Sequence, residues 1–110
     1  LGGAMRINSQ FAQEAIKRDI AAPLSLGVEE AAYGVVAVAN AKMVQAIRAV
    51  SSERGHDVRR FSLLAFGGAG PVFASHIASM LGMREVVVPL RPGVFSAAGM
   101  LQTDLLHNTT

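Results

Sequence analysis

Phe11, Ala12, Ala15, Ile16 and Ile20 keep to one stripe at helical spacing, which predicts a helix over 8–22. Asn8 or Ser9 can cap it, because a side-chain oxygen accepts an N–H that would otherwise be unpaired. Pro23 should end it by removing a donor and colliding with the turn before. Val28, Ala32, Val35, Val36, Ala39, Met43, Ile47 and Val50 then follow steps of three and four, predicting a second helix over 28–54, opened by Ser25 or Gly27. Glu29 and Glu30 in its first turn and Arg48 and Arg54 toward its end suit the helix dipole, and Gly55 is a ready stop. At ~1.5 Å per residue such a helix is about 40 Å long, so it is expected to span a domain larger than this chain. Gly34 inside it costs ~1 kcal/mol relative to alanine, and close approach of another backbone is the expected reason.

Beyond Gly55 the pattern changes. Residues 61–66 (Phe-Ser-Leu-Leu-Ala-Phe) form a short apolar run suited to a buried strand, followed by the tight loop Gly67-Gly68-Ala69-Gly70-Pro71. Residues 72–81 read as a helix, with Pro71 at the favoured first position and Gly82 as its stop. Glu85-Val86-Val87-Val88 is a second β-branched strand, closed by Pro89. The order strand, glycine loop, helix, strand over 61–89 predicts a parallel pair with a right-handed crossover. A small-residue segment over 92–107 follows, of which 102–107 is either a strand or a tail.

Composition narrows the class. The 110 residues carry ten Lys+Arg against eight Asp+Glu, and only 16% are charged where an average soluble domain has roughly 25%. With 51% hydrophobic residues, the chain holds more apolar surface than a domain this small covers, so apolar faces should pack on sequence outside it and oligomers should form when they do not. The opening Leu1-Gly2-Gly3-Ala4, with no initiator Met or basic leader, points the same way, to a single piece over 1–110 of a longer protein. A net charge of +2 without a basic run argues against nucleic acid. The longest apolar stretch, 31–41, is too interrupted for a membrane span. The absence of cysteine excludes disulfide scaffolds and thiol catalysis and fits a reducing compartment, so a cytoplasmic location is expected.

Candidate chemistry centres on the glycine loop. It follows a strand and opens a helix, so its N–H groups and the helix dipole point out at the strand's carboxyl end, where open α/β sheets bind ligands. Small residues there let a phosphate or a nucleoside edge approach the backbone, although a tight structural turn needs the same residues. It is neither a dinucleotide fingerprint nor a P-loop, since no Gly-Lys-Ser/Thr follows. His56, His76 and His107 have no metal-ligand spacing, and no metal site is expected. His76 could face the cleft or solvent, and His56 reads as a solvated loop residue. Ser75 and Ser96 lack a nucleophile elbow, Asp57 most simply makes a turn, and Asp104 has no evident partner. Met43, Met80, Met83 and Met100 read as core filler, and Arg48 as a surface residue. No nucleophile–base pair emerges, so the catalytic residues stay unassigned.

Taken in order and spacing, Ala31-Ala32-x-Gly34, Ala46-Ile47-Arg48, Glu53-Arg54-Gly55, Phe66-Gly67-Gly68-Ala69-Gly70-Pro71 and Pro92-Gly93-Val94-x-Ser96-Ala97-x-Gly99 resemble the hydantoinase A/5-oxoprolinase family, which includes the ATP-using subunits of acetone and acetophenone carboxylases. The resemblance covers about 22–107, and family members are several times longer. It implies an α/β fold, namely part of a ribonuclease-H-like lobe of the actin/sugar-kinase ATPase type, with long helices beside the strand–loop–helix–strand unit. It also implies that Gly67, Gly68, Ala69 and Gly70 line an ATP site, with Mg²⁺ held by residues elsewhere. The implied activity is ATP-dependent ring opening of a cyclic amide such as a hydantoin or 5-oxoproline, performed with a second large subunit and not by these residues alone. Ketone carboxylation and a non-catalytic assembly role are the alternatives. One departure stands out: members commonly continue Gly-Pro-Leu-His-Ala, whereas this chain places Phe73 where the histidine is expected. His76, three residues on, could share its helix face.

Overall fold

The structure of the protein, a computed structural model, describes residues 7–103. It is mostly helical, with one small two-stranded sheet, and divides into two compact units, Leu1–Ala39 and Asn40–Thr110. Asp104 and His107, with the end of the small-residue segment, lie outside the described residues, as do Leu1 to Ala4.

In the first unit, α1 (Ser9–Ile16) is capped by Asn8, whose side chain accepts the Gln10 N–H at 2.9 Å. The chain does not stop at Pro23. It winds on through a π-helical turn, Lys17–Ala21, into α2 (Ala22–Leu24), so the proline sits inside the helical run. A proline in a regular α-helix collides with the carbonyl four residues back, here Asp19. That residue lies in the π turn, where the Ala22 N–H reaches back to Lys17, and this wider winding takes up the ring. The stop comes at Ser25, in the left-handed region at φ +54°. The Leu26 N–H bonds Ala21 O at 2.9 Å and the Ser25 N–H bonds Ala22 O at 3.2 Å, which is the Schellman pattern without its usual glycine.

The long helix α3 (Val28–Val50) begins in this unit and ends in the second. At ~1.5 Å per residue it is about 34 Å long, one turn shorter than its sequence pattern suggested. The Ser51 hydroxyl bonds the Ile47 carbonyl that the Ser51 N–H would otherwise take, and that N–H shifts to Arg48 O at 3.2 Å. The last turn tightens into a 3₁₀ helix, Ser52–Arg54, and Gly55 at φ +83° closes it as expected. Outside the helix's own backbone, no atom among the described residues lies within 4 Å of a Cβ built at Gly34, so none of them makes the close backbone approach expected there. Val35, Val36 and Val50, all on the apolar stripe, are exposed.

The second unit holds a 3₁₀ turn (Val58–Arg60), β1 (Leu63–Leu64), α4 (Gly70–Leu81), β2 (Val86–Val87), a 3₁₀ turn (Pro92–Val94) and α5 (Phe95–Met100). The strands pair in parallel as predicted, Leu63 beside Val86 and Leu64 beside Val87. Val44 of α3 meets Ile77 and Leu81 of α4 in the core, with Met43, Ile47, Val58, Leu63, Phe73 and Met83 packed against them. Met80 and Met100 are exposed instead of filling that core, because they fall on the outer side of α4 and at the end of the short α5. Gly82 ends α4 at φ +67°, with the Met83 N–H on Ala78 O at 2.9 Å. No helix among the described residues is by itself long and apolar enough to cross a membrane.

Candidate functional site

Parallel pairing sends both strands to the same edge, and the chain leaving each one turns there. After β1, Ala65 is buried and still donates to Val87 O at 2.9 Å. The backbone then bends at Gly67, whose φ of +87° lies in the region that disfavours any side chain. The Gly67 N–H donates to Pro92 O at 2.7 Å, which ties the glycine loop to the turn that follows β2. Beside this bond the rings of Phe66 and Phe95 lie 5.4 Å apart at 55°.

Gly68 and Ala69 are exposed, and Gly70 begins α4 with Pro71 in its first turn. No side chain caps this end of the helix. The Val72 N–H is taken by Ala69 O at 3.0 Å, whereas no acceptor among the described residues faces the N–H groups of Gly68, Ala69 or Gly70. A Cβ built at Gly68 meets nothing within 4 Å among the described residues, so neither their packing nor the backbone angle requires glycine there. A side chain at Gly70 would touch the Ala65 backbone at 3.9 Å, an ordinary contact. Three N–H groups without an acceptor among the described residues, leading into a twelve-residue helix, can bind an anion such as a phosphate. Among the described residues no group of three or more His, Cys, Asp or Glu could hold a metal, so this loop supplies no ligand set for Mg²⁺.

The other candidates do not converge on it. His76, three residues on from Phe73 along α4, is exposed, while Phe73 is half-buried against the core. Phe73 is a packing residue. His56 stands edge-on to Phe61 with ring centres 6.2 Å apart, and Ser75, Ser96 and Arg48 are exposed. Asp57 does make a turn: it accepts the Arg59 N–H at 3.1 Å and pairs with the Arg59 guanidinium at 2.9 Å. Those hydrogen bonds, the side-chain one first, hold its carboxyl below the usual range. This pair borders an open depression of about 570 Å³ with Arg60, Ser62, Arg84 and Glu85, at the amino ends of the strands and away from the glycine loop.

Spacing did not reveal Phe66, Phe95 or Asn40 as notable. Asn40 is only 2% exposed, and its Oδ1 has no partner among the described residues. The signal for the two phenylalanines was in plain sight, since Phe66 opens one of the two glycine-bearing strings and Phe95 stands inside the other.

With this geometry in hand, likeness to known proteins becomes specific. A family described as Hydantoinase/oxoprolinase matches residues 1–109. The alpha subunit of caprolactamase from Pseudomonas jessenii is 39% identical over 108 residues, covering 98% of this chain and 16% of that protein. The acetone carboxylase beta subunit from Xanthobacter autotrophicus is 38% identical over 104 residues, covering 94% of this chain and 14% of that protein. The crystal structure of ATP-dependent caprolactamase from Pseudomonas jessenii matches with a TM-score of 0.82 at 40% identity, over 96% of this chain and 15% of that one. The chain therefore spans 14–16% of the length of these relatives, and it belongs to the hydantoinase/oxoprolinase family.

Proposed function

We propose that the chain forms part of the nucleotide-binding lobe, ribonuclease-H-like in fold, of an ATP-dependent enzyme that opens a cyclic amide. Gly67, Gly68, Ala69 and Gly70 border ATP in this reading. The carrying observation is the set of N–H groups at the start of α4 without an acceptor among the described residues, beside a Gly68 that the packing of those residues does not need. ATP supplies a phosphoryl group that activates a poorly reactive amide oxygen. This chain's share is to hold the nucleotide: the loop N–H groups and the α4 dipole bind negative charge, and the missing side chain at Gly68 leaves room for it. The loop lies on an open edge, so the opposite wall, the Mg²⁺ ligands and the catalytic groups come from the rest of the protein or from a second large subunit. Those 110 residues are inactive alone.

Gly68→Val in the whole protein with its partner subunit tests the assignment. ATP-dependent turnover should fall at least about a hundredfold. Thermal unfolding should stay within roughly 2 °C, because a Cβ added at Gly68 meets no described atom within 4 Å. Retained turnover would sink the assignment. The acetone carboxylase relative favours one second reading, ATP-dependent carboxylation of a ketone. ADP release assayed with hydantoin, 5-oxoproline or caprolactam, and with ketone plus bicarbonate, separates the two. Release that needs a cyclic amide and ignores bicarbonate supports the hydrolase, and the converse supports the carboxylase.

A further inference from the structure

Two turns leave the same edge of the sheet, and they are joined there by two links of different kinds. One is polar. The Pro92 carbonyl accepts the Phe95 N–H within its own 3₁₀ turn and also accepts the Gly67 N–H at 2.7 Å, so a single oxygen ties both turns together. The other is apolar. Phe66, next to Gly67, meets Phe95, three residues after Pro92, with centroids 5.4 Å apart. These links reinforce one another geometrically. A 3₁₀ turn places residues three apart on one side, so the residue whose carbonyl is held and the residue whose ring is held face the glycine loop together.

Neither ring is core filler. Phe66 and Phe95 remain 44% and 38% exposed and lie outside the cluster around Val44, Ile77 and Leu81. Their contact therefore does little for burial and much for position. Downstream of it, Gly67 in its left-handed conformation sends the backbone outward, and Gly68, Ala69 and Gly70 present N–H groups that no described residue accepts. A loop of such small residues has no side chains of its own to fix its path. We propose that the Phe66–Phe95 pair and the Gly67 N–H to Pro92 O bond form a latch that positions the glycine loop for the nucleotide. Phe66 and Phe95 are thus positioning residues. This rests on the assignment of the loop to ATP made above.

The test uses the whole protein with its partner subunit and four variants: Phe95→Leu, Phe66→Leu, the double variant and Phe95→Tyr. Leucine keeps most of the apolar volume and removes the ring–ring contact, whose typical worth corresponds to about a two- to tenfold change in an equilibrium. KM for ATP should rise about fivefold in each leucine variant, with KM for the amide and kcat within twofold. The double variant should be no worse than either single one, because both break the same contact. Phe95→Tyr should return KM for ATP to within twofold. An unchanged KM for ATP, a parallel rise in both KM values, or additive losses in the double variant would each overturn the latch. Gly68→Val assayed alongside separates the two levels. If it abolishes turnover while the leucine variants are silent, only the latch fails; if it is silent too, the nucleotide reading fails with it.

Discussion

In the unit that ends at Ala39, the apolar residues buried among those described are Ala21 and Ala31, while Phe11, Tyr33, Val35, Val36 and Val38 stand exposed. In the unit from Asn40 onward, Val44, Ile77 and Leu81 close on one another and gather Leu63, Phe73 and Met83 around them. The contrast is sharpest within one element. Val35 and Val36 lie on the same helix, α3, and the same periodic stripe as Met43 and Ile47, yet only the latter two pack against a core. Periodicity reports which side of a helix is apolar. It cannot report whether this chain supplies the cover. The second unit brings its own cover in α4, and the candidate loop is built on that self-sufficient part.

The largest expected effect follows directly. Ile77→Ala, in the core of the second unit, should cost about 2–4 kcal/mol, the usual range for emptying a buried aliphatic site. Its counterpart on the uncovered side, Val36→Ala, should change stability by less than ~0.5 kcal/mol in this chain, since the side chain is exposed and alanine suits a helix better. Urea denaturation of the 110-residue chain with each substitution measures both. Equal costs would break the contrast. In the whole protein a cost at Val36 that exceeds its cost in this chain would show that further sequence covers that face.

What was legible in the sequence was chemistry acting over a few residues. Asn8 as a cap, Pro71 opening α4, and Gly55 and Gly82 as stops each follow from one residue's hydrogen-bonding or torsional preference. The parallel pairing was legible too, because a strand–helix–strand order leaves few alternatives. Where two local rules competed, spacing could not say which would win. Pro23 gave way to a π turn that begins six residues earlier, and a Ser51 hydroxyl took a carbonyl from the helix ladder. Contacts between distant segments left no periodic trace at all. Phe66 and Phe95 are 29 positions apart and meet only because parallel strands deliver both turns to one edge. Asn40 looked like an interruption of an apolar stretch, and only the fold shows that it is buried.

A smaller effect compares how the two units end a helix. Both α2 and α4 close with the same pair of bonds, in the first case around Ser25 at φ +54° and in the second around Gly82 at φ +67°. Gly82→Ala should cost about 1–2 kcal/mol through the backbone angle alone. The added methyl would meet the Arg59 stem at 3.4 Å, and an exposed arginine can yield, so the contact contributes little.

Ser25→Gly is the opposite experiment and the smallest in size. The serine pays for a left-handed conformation that its side chain does not repay, since no hydrogen bond of its hydroxyl accompanies the cap among the described residues. Glycine loses that penalty and gives back part of it as unfolded-state entropy, leaving a net gain of ~0.5 kcal/mol. The Leu26 amide, whose N–H bonds Ala21 O at 2.9 Å across this cap, should then exchange about twofold more slowly. The Met83 amide occupies the same place after Gly82 and should not change. If the Leu26 rate stays the same while Gly82→Ala speeds exchange at Met83, opening in the first unit is not controlled by its cap. The limit would then be the poor burial around α1 and α2, which traces the weakness of that unit to packing and not to the turn.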